Sequence, residues 1–318
     1  LPIIRGMTLI GYDDWYGAGG TRTQLQQALG SGMLRRIRRG VLTDATESTP
    51  ASDLYLLKVH ATAAYLDTGT YFSHLSAAAL HGLPLLSKRR GEVTVVRTRG
   101  GHGSVHPSLH SRAATLDPSD VCELDGLPTT TLTRTLADLA RMLPFDEAVM
   151  LLDAGLRAGA EKDALLVRTA AGRGCRLAER AITFADGDAE SPGESLSRVR
   201  MHQAGLVMPV LQKAILDADG QFVGRSDFFW EHVPAIGEFD GRVKYDELAP
   251  TREDLIRVVT TEKDREQSVG DTGCRVLRWG WSDLWNGGMV RRLAPVVGYA
   301  SSPRATVSVK RRRAGWSV

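Results

Sequence analysis

The residues best suited to chemistry lie in one stretch, Gly224-Arg-Ser-Asp-Phe-Phe-Trp-Glu-His-Val-Pro-Ala-Ile-Gly-Glu-Phe-Asp-Gly241. Two apolar-rich runs flank a short turn at Glu231 to Pro234, the pattern of a β-hairpin. Pairing Trp230 with Ala235 sets Phe229 against Ile236 and Asp227 against Glu238. Side chains alternate along a strand, so Asp227, Glu238 and Asp240 share one face. Like charges directly opposed on a sheet are destabilising, which makes three converging acids poor structural choices. They are good hard-oxygen ligands for Mg²⁺ or Mn²⁺, with Asp227 and Glu238 as the expected metal ligands. A metal held there could polarise a phosphodiester and lower the pKa of a bound water. The competing readings are a register displaced by one residue, which would separate the acids, and a face that is simply solvated.

Lys244 follows the acids and could orient an attacking water or stabilise charge on a phosphorane. Upstream, Glu190-Ser-Pro-Gly-Glu194 opens a helix reaching about Gly205. Glu194 could lean toward the same metal, or it could complete a capping box with Ser191 as N-cap and Pro192 in the first turn. The two readings stand level. Downstream, residues 251–269 read as a helix carrying Glu262, Lys263, Arg265 and Glu266, followed by a strand at Cys274 to Trp279. Arg265 could approach a DNA phosphate or belong to an ion-paired exposed helix. Trp279 and Trp281 read as core.

These elements make up a third unit, about 188–288. Ahead of it, residues 1–46 form a short basic unit. Thr21 to Gly30 reads as a helix with Thr at its start and Gly at its end. Arg35-Arg-Ile-Arg-Arg-Gly-Val-Leu42 reads as a basic β-strand. Helix then basic strand is the layout of a winged helix-turn-helix, in which Arg22, Arg35, Arg36, Arg38 and Arg39 would contact DNA. A solvated basic hairpin is the alternative. Residues 50–180 form a mixed α/β unit, with helices expected from Asp53, from Ser76 and over Thr130 to Arg157, and a strand at Glu92 to Val96. His102, His106 and His110 are evenly spaced, but Gly103 and Pro107 break any helix there, so a loop or edge strand is expected rather than a metal site. His74 and His81 read as cap or core histidines. Ala178 to Asp188 reads as a boundary. The end of the chain, 303–318, carries Lys310-Arg-Arg-Arg313 and reads as a basic tail, either solvated or touching phosphates.

The 318 residues suffice for two or three domains, and 42% hydrophobic with 24% charged residues is ordinary globular composition. Net charge is only +3, so the molecule as a whole is not a nucleic-acid glue. Its 40 basic residues comprise seven lysines and 33 arginines, and arginine suits bidentate phosphate recognition. Cys122, Cys175 and Cys274 have neither zinc spacing nor a disulfide framework, so a reducing, cytoplasmic setting is expected. No apolar run reaches the ~18 residues of a membrane span. Leu1 to Arg5 lacks the charged and apolar regions of a signal peptide.

Taken together, Glu194, Asp227, Glu238-Phe-Asp240-Gly241, Lys244 and the segment with Glu262 and Arg265 resemble the very-short-patch-repair-like branch of PD-(D/E)xK, restriction-endonuclease-fold nucleases. The nuclease signature puts lysine two residues after the second acid, where this chain has Asp240. The patch-repair-like branch also lacks that lysine and often carries histidine where Lys244 falls. The N-terminal two thirds resembles AbiEi-type antitoxin domains of type IV toxin–antitoxin systems. The matching segments are Arg36-Ile-Arg-Arg-Gly-Val41, Ser73-His-Leu-Ser-Ala-Ala-Ala-Leu-His-Gly-Leu-Pro84 and Gly126-Leu-Pro-Thr-Thr-Thr-Leu-Thr-Arg-Thr-Leu-Ala-Asp138.

The expected architecture is α/β throughout: an N-terminal winged helix-turn-helix, a mixed α/β middle domain and a C-terminal restriction-endonuclease-like α/β domain. The expected function is Mg²⁺-dependent hydrolysis of DNA, with Asp240, Lys244 and Glu194 assisting Asp227 and Glu238. The rival is a non-catalytic transcriptional repressor or antitoxin. DNA is the expected partner, with a homo-oligomer and the product of an operon-linked toxin gene as further expectations.

Overall fold

The computed structural model describes residues 3–86, 91–98, 105–106, 109–216, 219–241 and 273–300. They form a mixed α/β protein that divides into two compact units, Leu1–Leu196 and Ser197–Val318. Among the described residues no helix is long and apolar enough to cross a membrane.

The first unit begins with β1 (Ile3–Ile4), β2 (Met7–Gly11), α1 (Tyr12–Gly17), α2 (Arg22–Gly30), β3 (Arg35–Arg38) and β4 (Val41–Thr43). The strands form an antiparallel sheet in the order β1-β2-β4-β3. Helix α2 starts where its sequence says it should. The Thr21 hydroxyl accepts from the Gln24 amide at 3.2 Å and the Gln24 side chain accepts from the Thr21 amide at 2.8 Å, a reciprocal capping box. The basic run 35–42, expected as one strand, is instead a hairpin. Gly40 sits at φ +78°, a conformation that glycine adopts without a Cβ penalty, and it reverses the chain between β3 and β4. The sheet's apolar residues Ile4, Leu9 and Val41, with Ala45 just beyond β4, pack with Leu56, Leu57 and Ala61 of α3 (Ala51–Ala63).

Next come β5 (Thr70–Phe72), α4 (His74–Leu80), β6 (Val93–Arg97), β7 (Val105–His106), β8 (Leu109–Ala113), β9 (Val121–Leu124) and β10 (Leu127–Thr130). They build a six-stranded mixed sheet in the order β7-β8-β6-β5-β10-β9. His106 therefore lies on the edge strand β7 and His110 on β8 beside it, while His102 lies outside the described residues. Helices α5 (Leu132–Ala140), α6 (Phe145–Arg157), α7 (Lys162–Thr169), α8 (Cys175–Phe184) and α9 (Pro192–Gln203) follow. The segment read as a boundary from Ala178 is helical as far as Phe184; its apolar stripe Ala178, Ala181 and Ile182 is buried, which overrides the weak linker signal of the residues after it.

The second unit holds the end of α9, then β11 (Val210–Leu216), β12 (Phe222–Trp230), β13 (Ala235–Asp240), β14 (Arg275–Gly280), α10 (Trp281–Asn286) and α11 (Gly288–Val297). The sheet order is β11-β12-β13-β14, antiparallel except for the parallel pair β13–β14. One face carries the larger core, with Phe228, Trp230 and Trp279 each at most 2% exposed. The other carries Ile215 and Ile236 with Val223, Phe229 and Val276 packed against them. Trp279 is thus core, and its indole N–H donates to the Ser197 hydroxyl at 2.7 Å.

Candidate functional site

The hairpin register matches the sequence expectation: Phe228 pairs with Gly237, Phe229 with Ile236 and Trp230 with Ala235. Asp227 and Glu238 follow Phe228 and Gly237 at the open end of this ladder, on the face shared with Phe229 and Ile236. On its other side, the ladder with β11 pairs Leu211 with Phe228 and Lys213 with Ser226, one register on either side of Asp227. Gln212 is in the left-handed region at φ +50°. The Asp227 carboxylate accepts a hydrogen bond from the Phe239 amide at 2.9 Å, so it closes the hairpin end.

The sequence signal missed a partner for Glu238. In the parallel register of β13 and β14, Glu238 lies beside Arg278, and the Arg278 Nε donates to its carboxylate at 2.8 Å. The acid is 14% and the arginine 37% exposed at the side chain. The repulsion between opposed acids is therefore met by a guanidinium and a backbone amide. Among the described residues no group of three or more His, Cys, Asp or Glu is arranged to hold a metal ion. Asp240 ends β13 beside Gly280. Gly237 is also part of the site's construction: a Cβ there would come within 2.5 Å of the Trp279 ring, so the acid-bearing hairpin lies close over the indole.

Glu194 lies in the first unit and is 6% exposed. Its amide donates to the Ser191 hydroxyl at 3.2 Å, and its carboxylate accepts from the Glu190 amide at 2.9 Å. Both bonds are local to the start of α9, the second made to the amide before Ser191 and not to that of Ser191 itself. Lys244, Arg265, the helix expected over 251–269 and the basic tail 303–318 lie outside the described residues.

The N-terminal arginines divide. Arg22, Arg36 and Arg39 are exposed. Arg35 donates to the Thr46 carbonyl at 2.9 Å. The Arg38 guanidinium lies over the Tyr65 ring, 4.3 Å from its centroid, and burial pulls its pKa down against the influence of Tyr65. Two of the arginines expected to meet DNA are thus folded onto the protein.

The motifs of the middle region are structural in large part. His81 Nε2 is 2.8 Å from the Thr130 carbonyl, tying the segment 73–84 to the segment 126–138, and burial lowers its pKa although that bond opposes the shift. Asp120, which was not singled out from the sequence, accepts from Arg134 at 2.9 Å and from Arg168. Arg134 also donates to Asp138 at 2.8 Å. Burial works against the charge of Arg134, yet these two acids outweigh it and raise its pKa.

Comparison with known proteins gives no family for the chain. No family model matches it. Two curated relatives from Mycobacterium tuberculosis, the uncharacterized protein MT2308 of strain CDC 1551 / Oshkosh and the uncharacterized protein Rv2248 of strain ATCC 25618 / H37Rv, are each 34% identical over 110 residues, 33% of this chain. The aligned region spans about 40% of the length of each relative. Among solved structures, the RV2827C protein from Mycobacterium tuberculosis is similar at a TM-score of 0.37 and 15% identity, over 69% of this chain and 85% of that one. A likeness that loose carries no argument about fold or function.

Proposed function

We propose that the protein acts on DNA, with Asp227 and Glu238 as the ligands of a Mg²⁺ or Mn²⁺ ion used in hydrolysis of a phosphodiester. What supports this reading is the register of β12 and β13, which puts the two carboxylates on one face at the same end of a hairpin. The donor set is chemically suitable: both are hard oxygen ligands, and a carboxylate has two oxygens, so a bond to Phe239 or Arg278 does not exhaust either group. A metal bound there would supply Lewis-acid activation of the phosphate. In this reading Asp240 and Lys244 assist, Glu194 holds the start of α9, and the exposed Arg22, Arg36 and Arg39 contact duplex phosphates.

One observation favours a second reading. Arg278 already places a cation on Glu238, as a sheet retained for binding alone would. The protein is then a DNA-binding repressor or antitoxin that does not cleave.

Cleavage of plasmid with and without Mg²⁺ or Mn²⁺, in wild type and Asp227→Asn, separates the two. Asparagine keeps the shape and an acceptor for the Phe239 amide but removes the charge. The nuclease reading expects metal-dependent nicking in wild type and none in the variant, and a melting temperature raised by Mg²⁺ only in wild type. Wild type with neither cleavage nor a metal-dependent thermal shift leaves the repressor or antitoxin reading.

A further inference from the structure

In the first unit an open cavity of about 320 Å³ is lined by His74, Glu92, Thr94, His110 and Arg112. That volume is at the lower end of the ~300–1,000 Å³ typical of small-molecule sites. The sheet register builds it. In the parallel pair β6–β8, Thr94 lies beside His110 and Val96 beside Arg112, so Thr94, His110 and Arg112 share a face. His74 reaches the same cavity from the start of α4.

The charges around it are unevenly matched. Among the described residues the Arg112 Nε is buried with no hydrogen-bond partner. An arginine cannot relieve that by deprotonating, so the group stands ready for an anion. The nearby acids have other attachments. Asp138 takes the Arg134 guanidinium at 2.8 Å. Glu92 is exposed and lies near Lys58, whose pKa it raises against the larger, opposite influence of burial.

The backbone adds a second, independent sign. His74 is 7% exposed and adopts φ +51°, a left-handed conformation that costs a non-glycine residue energy and gathers at ligand sites. Its Nδ1 is 3.0 Å from the Ser73 hydroxyl, which fixes the ring. Burial lowers its pKa to about 4; Asp138 opposes the shift, while Arg112, Arg134 and His110 add to it. The ring therefore brings a hydrogen bond to the cavity rather than a charge. One guanidinium and two imidazoles approach from two elements, α4 and β8, while the Thr94 hydroxyl is held away from the role of donor by its bond to the Ser73 carbonyl at 2.8 Å.

We propose that this cavity binds the phosphate of a small phosphate monoester, with Arg112 as the charged donor and His74 and His110 as hydrogen-bonding partners. The site does not depend on DNA cleavage, and its test does not read cleavage. The full chain is titrated with glycerol phosphate and with inorganic phosphate, at constant ionic strength set by chloride, and followed by calorimetry and thermal melting. Expected is saturable binding with a raised melting temperature, tighter for glycerol phosphate. Arg112→Gln weakens it at least tenfold while leaving the ligand-free melting temperature unchanged or higher, because it removes an unmatched cation. His110→Gln weakens it several-fold and serves as the second variant. No saturable response in wild type, unchanged binding in both variants, or displacement of the ester by duplex DNA would overturn the proposal, and tighter binding of inorganic phosphate would overturn the ester.

Discussion

The two units each place arginine against carboxylate, and they do it differently. In the first, Asp120 is 3% exposed and receives Arg134 at 2.9 Å, Arg168 and the Asp117 amide at 3.2 Å. In the second, Glu238 lies within β13 at 14% exposure and receives a half-exposed Arg278. A buried carboxylate held by several fixed donors is a structural member: its desolvation is offset only while every donor stays in place. The part-buried Glu238 instead meets an arginine open to solvent on its outer side, so that arginine can turn away and leave the carboxylate to another cation. The same pair of residue types thus makes a core in one place and a candidate site in the other.

The largest effect should come from the buried network. Asp120→Ala strips Arg168 of its acid and leaves Arg134 with Asp138 alone, and is expected to lower folding stability by about 3–5 kcal/mol, read from urea unfolding. A loss under ~1 kcal/mol would break the contrast, since the network would then behave like a surface pair.

Acid should expose the same buried interior through His74. Its folded pKa of about 4 lies below the ordinary 6.5, so on acidification the unfolded chain takes up the proton first. Stability from holding His74 neutral is whole above pH 6.5 and is lost as pH falls toward 4, by roughly 3 kcal/mol. His74→Asn, which tolerates the left-handed backbone, should flatten that part of the pH–stability curve. An unaltered slope in the variant would assign the acid sensitivity to another group.

Arg278→Met sharpens the other side of the comparison. Removing the arginine leaves a part-buried carboxylate short of a donor and should cost about 1–3 kcal/mol without metal, less than the loss at Asp120. With the competing cation gone, Mg²⁺ should raise the melting temperature more in the variant than in wild type. An equal or smaller shift would mean that Glu238 is not a metal ligand.

The smallest effects on stability belong to Arg36 and Arg39. Their double replacement by alanine should change folding by about 0.5 kcal/mol or less yet weaken duplex binding and reduce its salt slope by about two. Arg35→Ala and Arg38→Ala should do the reverse, touching stability through Thr46 and Tyr65 and leaving the slope nearly intact. Equal salt effects from both pairs would remove the distinction between exposed and folded-back arginines.

Much of the local structure was legible in the residues. Thr21 with Gln24 marks a helix start because its hydrogen bonds are made within one turn. The turn 231–234 between apolar runs sets the register of Phe229 with Ile236 because a two-residue period leaves one way to bury both faces. The reversal at Gly40 was missed, since a continuous run of arginines and apolar residues looks like one strand until the backbone of one glycine turns it. What the residues could not determine was any contact that depends on strand order. Arg278 reaches Glu238 only because β14 lies parallel beside β13, and Arg112 meets His74 only because β8 lies beside β6. Local spacing encodes which residues share a face, through the periods of helix and strand. Which distant strand lies alongside is decided by burying all the faces at once, and that choice is what turned one carboxylate into a paired group and, among the described residues, left the Arg112 Nε buried without a hydrogen-bond partner.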